Sequence, residues 1–196
     1  MSNLQPHISI IAGPNGSGKS TCGPALLQTH FNISEFVNAD TIATGLSAFN
    51  PEDVAIEASR IMLKRIKTLA TTKKNFAFET TLSSRTFAQW LKKEKAKGYH
   101  FTLLYFWLFS PNLAVERVAE RVRLGGHTVP EETVRRRYVK SIQNFFNLYQ
   151  PLADNWVIFD NSENNNPIKV AEGNLLTHIT IHQEQQWELF NGYNNE

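Results

Sequence analysis

Eight consecutive residues constrain this 196-residue chain more than anything else in it: Gly13-Pro14-Asn15-Gly16-Ser17-Gly18-Lys19-Ser20. They match G-x-x-x-x-G-K-[ST] in full. The short apolar run Ile8–Ala12 before them reads as a buried strand, and Lys19–Thr29 after them as a helix. Gly23 and Pro24 are poor residues for that helix's first turns. A strand that enters a glycine-rich turn and leaves as a helix aims backbone N–H groups and a helix N-terminus at one point. Phosphate oxygens fit there. Lys19 would reach the β- and γ-phosphates of a nucleotide, and the Ser20 hydroxyl would ligate Mg²⁺.

The rest of the chain agrees with an α/β fold. Short apolar runs at Glu35–Asn38, Phe76–Phe78, His100–Phe109, Trp156–Asp160 and Ile168–Ala171 read as strands. Helical patterns separate them. Asn50-Pro51-Glu52-Asp53 combines an N-cap, a first-position proline and acids on the positive dipole end, so a helix should run from there to about Ala70. Thr86–Lys97 is the next helix. Ser110-Pro111 opens another to about Leu124, and Gly125-Gly126 breaks it. Pro130-Glu131-Glu132 starts one with Val134, Tyr138, Ile142 and Phe145 on a single face. Alternating strands and helices imply a parallel sheet covered on both faces, a three-layer P-loop fold. With about 150 residues per domain the expectation is one domain over 1–196, with a short lid near 124–137.

Composition narrows the classes. Hydrophobic residues at 41% exclude a disordered chain, and a net charge of +2 names no partner. One cysteine, Cys22, forbids an internal disulfide, which fits a reducing compartment. No apolar run is long enough for a signal peptide core or a membrane span, so the expectation is a cytoplasmic protein without a membrane partner. Lys92, Lys93, Lys95 and Lys97 read as the solvated end of a helix, with a nucleic-acid patch as the alternative. His127 and Cys22 offer no metal spacing.

A phosphate loop specifies a nucleotide, not a reaction. No N-K-x-D guanine motif is present. The apolar strand ending at Phe109 is followed by Ser110, not by the acid a motor ATPase would carry there. Two acids remain at strand ends. Asp40 follows the second strand, where it could take the proton of an attacking hydroxyl, or cap the next short helix. Glu79 ends the third strand, and with the hydroxyls of Thr80 and Thr81 it suits a polar substrate, or a solvated turn. Either acid could support Mg²⁺.

Arg117 and Arg121 stand four apart on one helix face, a spacing that can aim two cations at phosphates. Arg135, Arg136 and Arg137 follow in the next helix. Their spacing points them in different directions, so one or two can face the nucleotide, and Arg136 is assigned to it.

Gly13–Thr21, Val37–Thr41, Phe76–Thr81, the Glu116–Arg123 helix and Gly125–Tyr138 together resemble the zeta toxin family of P-loop kinases. The resemblance implies that Gly13, Pro14, Asn15, Gly16, Ser17, Gly18, Lys19, Ser20 and Thr21 bind ATP, with Mg²⁺ on Ser20. It implies Asp40 as catalytic base, Glu79 as substrate-binding acid and Arg117 as a phosphate-facing arginine. A second such arginine falls near His127, where Arg121, Arg135 or Arg136 would replace it. The acceptor implied is UDP-N-acetylglucosamine or another nucleotide sugar. The alternatives are a sugar, nucleoside or antibiotic kinase, a nucleic-acid end kinase, and a regulatory ATP-binding module. Nothing in the chain resembles the family's small helical antitoxin, so a free-standing kinase is expected and an antitoxin partner stays open.

Overall fold

The computed structural model describes residues 5–31, 33–126, 128–163, 166–175 and 179–194. His127, Asn164 and Asn165 lie outside them, and so does the end of the polar tail.

Among the described residues, seven strands form one sheet in the order β2-β3-β1-β4-β5-β6-β7. They are β1 (His7–Ala12), β2 (Phe36–Val37), β3 (Phe76–Thr80), β4 (His100–Trp107), β5 (Asn155–Asp160), β6 (Ile168–Asn174) and β7 (Thr180–Ile181). The first five are parallel. The sheet is therefore not parallel throughout: β6 and β7 add antiparallel to one edge. The α-helices of the described residues are α1 (Lys19–Phe31), α2 (Ala39–Leu46), α3 (Ala55–Thr71), α4 (Thr86–Ala96), α5 (Pro111–Arg123), α6 (Glu131–Asn144) and α7 (Glu184–Gly192). None of the described helices is long and apolar enough to cross a membrane.

The aromatic run at 100–107 forms a central strand because both of its faces are covered. On one face lies the larger core, built from β1, β3, β4 and β5 against α3, α4, α5, α6 and α7. On the other, α1 packs Leu27 over Ile11, Leu104 and Phe106. Gly23 explains how α1 lies so close: a Cβ there would meet Ile11 Cδ1 at 2.3 Å. The residue that weakens the helix as a helix lets it dock on β1. Cys22 packs beside it, and burial raises its thiol pKa, so it is a packed residue.

Two helix starts differ from expectation. Asn50 makes no side-chain cap, and Pro51–Val54 forms a 3₁₀ turn before α3 begins at Ala55. Ser110 caps α5 as expected, its Oγ accepting from the Leu113 amide at 3.2 Å. The Val134–Tyr138–Ile142 stripe of α6 is buried, and so is Phe145 in the π-helical turn that follows it. Tyr138 accepts from Trp107 Nε1 at 2.9 Å, which pins α6 to the end of β4. Further along, Asn144 Nδ2 donates to Leu82 O at 2.7 Å and Tyr149 Oη to Ser84 O at 2.6 Å. One helical segment thus fixes both the rim above β4 and the turn after β3.

Candidate active site

The phosphate loop sits where β1 ends, between the ends of β3 and β4. Its backbone runs through positive φ at Gly13, Gly16 and Gly18, and the first two also leave no room for a side chain. Gly13 has φ +139°, and a Cβ would stand 2.0 Å from the Phe106 carbonyl. Gly16 has φ +79°, and a Cβ would meet Ala114 O at 2.8 Å. The loop is therefore pressed against β4 on one side and α5 on the other. Within it, Lys19 Nζ donates to Pro14 O at 2.8 Å. The Ser17 hydroxyl and Asn15 Oδ1 are buried without a hydrogen-bond partner among the described residues. The orphaned Ser17 O–H can donate to a phosphate oxygen, whereas Asn15 Oδ1, an acceptor, cannot.

Glu79 comes from the neighbouring strand. The register pairs Ile11 with Glu79 and Ala12 with Thr80, which brings the carboxylate alongside the loop. Ser20 Oγ donates to it, 2.9 and 3.0 Å from its two oxygens. Lys19 Nζ stands 4.0 Å from Glu79 Oε1. An acid thus stands beside Ser20 from β3, the other strand that flanks β1, where β4 offers none.

Asn38 completes this arrangement and was missed in the sequence. It is buried at the end of β2. Its Oδ1 accepts from the amides of Asp40 (2.7 Å) and Thr41 (3.4 Å), so Asn38, not Asp40, caps α2. Its Nδ2 donates to Glu79 Oε2 at 2.8 Å. Asn before an acidic helical turn was a legible cap signal. The contact to Glu79, 41 residues away, was not.

Asp40, relieved of capping, is exposed in the first turn of α2 and lines the cleft. Its charge acts on both Lys19 and Glu79. Burial pushes the Lys19 ammonium below its usual range, against the pull of Glu79 and Asp40, while Arg121 and Arg137 push it further down. Burial likewise raises the Glu79 pKa, opposed by Lys19, Ser20 and Asn38. Both groups pay for desolvation, so an anion against Lys19 and a cation against Glu79 would favour their charged forms.

The arginines separate. Arg117 Nη1 donates to Asn161 O at 2.7 Å and Nη2 to Ser162 O at 2.9 Å. The buried Asn161 amide in turn donates to Ser17 O at 3.0 Å. Arg117 therefore clamps the turn after β5, which braces the phosphate loop. Arg117 also lines the cleft, together with Arg121, Arg136 and Arg137. Arg135 points away, bound to Glu131 and Asn112. Arg137 is a cleft cation that the choice of Arg136 left out. His127 lies outside the described residues. Of the lysine stretch, Lys95 pairs with Asp154 and Lys97 with Glu94, which ties down the end of α4.

The cleft between these groups encloses about 1290 Å³. Thr80, Thr81 and Ser84 edge it on the side of β3, and Leu124, Thr128 and Val129 on the side of α5 and α6.

A sheet ordered 2-3-1-4-5, a phosphate loop on its central strand and a lysine facing an acid from the adjacent strand define a P-loop kinase fold. The chain belongs to the Zeta toxin family, whose family model matches residues 1–169. A protein of Haemophilus influenzae (strain Rd), described only as uncharacterized, is 30% identical over 138 residues, 69% of this chain and 94% of that protein. Among solved structures, a chain of the PezAT chromosomal toxin–antitoxin system of Streptococcus pneumoniae aligns with a TM-score of 0.66 at 15% identity, covering 98% of this chain and 81% of that one. A chain of the AvrRxo1-ORF1:-ORF2 complex crystallised with ATP aligns with a TM-score of 0.71 at 17% identity over 95% of this chain. This chain spans 63% of that chain's length.

Proposed function

We propose that this chain is an ATP-dependent phosphotransferase acting on a hydroxyl of a small molecule. One observation carries the reading: Lys19, Ser20 and Glu79 are assembled on the phosphate loop while Asp40, freed from capping by Asn38, faces the same cleft. Membership of the Zeta toxin family and the ATP bound in the AvrRxo1 complex support it.

Residues Gly13–Thr21 would cradle the phosphates of ATP, with Lys19 on the β- and γ-phosphates. Ser20 Oγ and Glu79 are adjacent hard oxygen donors, the kind Mg²⁺ takes in company with nucleotide phosphates. Bound there, Mg²⁺ would neutralise charge on the phosphate oxygens. Asp40 would accept the proton of the acceptor hydroxyl as its oxygen bonds to the γ-phosphorus. The bond from that phosphorus to the β,γ-bridging oxygen breaks, and ADP leaves. Arg121, Arg136 and Arg137 would stabilise the transferring group, with 124–137 closing over it as a lid. A nucleotide sugar is one acceptor of this kind, and a free sugar, nucleoside or antibiotic another. An antitoxin-type protein partner is also part of the proposal, because PezAT is described as a toxin–antitoxin system.

The test is ATP consumption across a panel of hydroxylated acceptors, with mass spectrometry of the product. With an accepted substrate, Asp40→Asn should lower turnover by about 10²–10⁴-fold with ATP affinity nearly unchanged. Full turnover in that variant would refute the base, and loss confined to ATP affinity would move Asp40 to the metal.

A further inference from the structure

Charge is spread unevenly along the chain. Residues 60–100 hold 11 of its 20 lysines and arginines but two of its 18 acids, Glu79 and Glu94, so the remainder is acidic. Glu79 belongs to the cleft, and Glu94 is buried. The cations lie on α3, on α4 and in the turns beside them, and the apolar sides of both helices pack into the larger core on one face of the sheet. Their outer sides form a basic layer. It starts beside the cleft, with Arg60 next to Ser59 and Arg85 next to Ser84, and runs away from it toward the ends of the two helices. Those ends are tied side by side: Tyr99 Oη donates to Lys74 O at 3.0 Å and Lys73 Nζ to Lys97 O at 2.6 Å. Lys73 itself has φ +54° just after the α3 cap residue Thr72, where the left-handed residue is usually glycine.

Part of this layer is neutralised within the fold. Arg65 pairs with Glu35, Lys95 with Asp154 and Lys97 with Glu94. Arg60, Lys64, Lys67, Lys74, Lys92 and Lys93 are exposed and form no ion pair among the described residues. The helix dipole accounts for cations in the last turns. It does not account for Arg60 and Lys64 in the body of α3, nor for Arg85 at the N-cap of α4, the positive end. Arg60, Lys64 and Lys67 stand four and three apart, and so do Lys93 and Lys97 at four, so like charges face one another and weaken the helices. The acid in the first turn of α3, Glu57, lies at one end of this stripe. A bound polyanion would relieve the repulsion.

We propose that the outer face of α3 and α4 docks the phosphate backbone of a duplex nucleic acid, outside the cleft and independently of the phosphotransferase reading. Its composition selects that partner. Within residues 57–100 the exposed large apolar side chain is Ile61, which leaves no apolar wedge for a bilayer and no apolar centre for a packed protein interface. No aromatic side chain of this face is exposed, since Trp90 packs on Phe76 and Phe78, so the bases of a single strand find no stacking platform. Thr68, Thr71 and Gln89 are exposed among the cations, and hydroxyls and amides bond phosphate and sugar oxygens. From Arg60 to Lys67 the helix rises about 10 Å, a length over which a duplex presents about six charges.

The experiment follows the fluorescence anisotropy of labelled duplexes of arbitrary sequence and about 20 base pairs, DNA and RNA, as salt is raised. The full chain should bind at low salt. With four of these cations on phosphates, log affinity should fall against log salt with a slope of about −4, roughly a hundredfold between about 50 and 200 mM. The triple variant Arg60→Gln, Lys64→Gln, Lys67→Gln should flatten that slope by about one for each contact removed and weaken every duplex alike. Its Tm should match or exceed the parent's, because like-charge repulsion is removed, and this separates lost binding from lost fold. Lys64→Arg with Lys67→Arg should bind as the parent does. Lys169→Gln, on β6 across the sheet, should leave binding unchanged, and so should saturating Mg·ATP. Absence of duplex binding at low salt, or full binding by the triple variant, overturns the proposal. Displacement by Mg·ATP would assign the duplex to the cleft and overturn it too. So would tighter binding of the single strand than of its duplex, or of phosphatidylserine vesicles than of either duplex, since the face would then serve another ligand.

Discussion

Asn38 is the residue on which the cap of α2 and the placement of Glu79 both depend, and two substitutions separate its roles. In Asn38→Ala the cap is lost, at about 1 kcal/mol. The hydrogen bond from Nδ2 to the Glu79 carboxylate at 2.8 Å is lost as well, and bonds to charged groups contribute about 1.5–3 kcal/mol. The sum is about 3 kcal/mol. At about 2–4 °C per kcal/mol for a chain of this size, Tm should fall by roughly 6–12 °C. Asn38→Asp keeps the cap, because aspartate serves as well at that position. It also sets a second carboxylate against Glu79, whose pKa burial already raises. Two carboxylates in contact cannot both ionise readily, so one must take up a proton. The Asp variant should therefore be well below the parent at pH 7.5 and recover toward pH 5, where a shared proton bridges the pair. The Ala variant should stay low at both. Calorimetric Tm across that range, with hydrogen exchange at the Asp40 and Thr41 amides, reads both effects. An Asp variant as stable as the parent at pH 7.5, with the same affinity for Mg·ATP, would show that Asn38 only caps a helix and that Glu79 is positioned without it.

Lys19→Ala should lower phosphoryl transfer by about 10²–10³-fold without lowering Tm, because it removes a desolvated ammonium from the phosphate loop. A variant with parental turnover would refute the loop's role. Arg117→Lys should expose the phosphate-loop amides to faster hydrogen exchange, since one ammonium cannot hold the carbonyls of both Asn161 and Ser162. Slower transfer with unchanged protection would instead place Arg117 directly on the phosphates. At the opposite end of the sheet, burial and the neighbouring His100 lower the His7 pKa to about 4. A folded-state pKa below the unfolded value of 6.5 means that the unfolded chain binds the extra proton. Stability should therefore fall as the pH drops from about 6.5 to 4. His7→Phe retains a ring against His100 and should flatten that limb of the Tm profile, whereas an unchanged slope would place the acid lability elsewhere.

What was legible in the sequence was local. The phosphate loop could be read because strand, turn and helix follow one another within 25 residues or so, and each step has its own residue chemistry. The buried stripe of α6 was legible from its period, and the Glu131–Arg135 pair that draws Arg135 off the cleft has ordinary i, i+4 spacing. The acid partner of Ser20 could not be fixed this way. Its place depends on which strands flank β1, and the order 2-3-1-4-5 puts β3 there as well as β4. The sequence therefore leaves Asp40 and Glu79 as equal candidates, and only the strand order sets Glu79 beside Ser20. The short strand β7 and the antiparallel edge were likewise hidden, since a two-residue strand has no period to detect. Arg117 shows the same limit at the level of one side chain. Its sequence position marks a cation facing phosphate, yet its guanidinium is held by a turn that follows β5, 44 and 45 residues away. That turn supports Ser17, so Arg117 reaches the phosphate loop through Asn161. The phosphate loop, the acids and most of the arginines that line the cleft were visible in the sequence. The residues that hold them in place were not, because the contacts that do so are made between strands and turns that only the fold brings together.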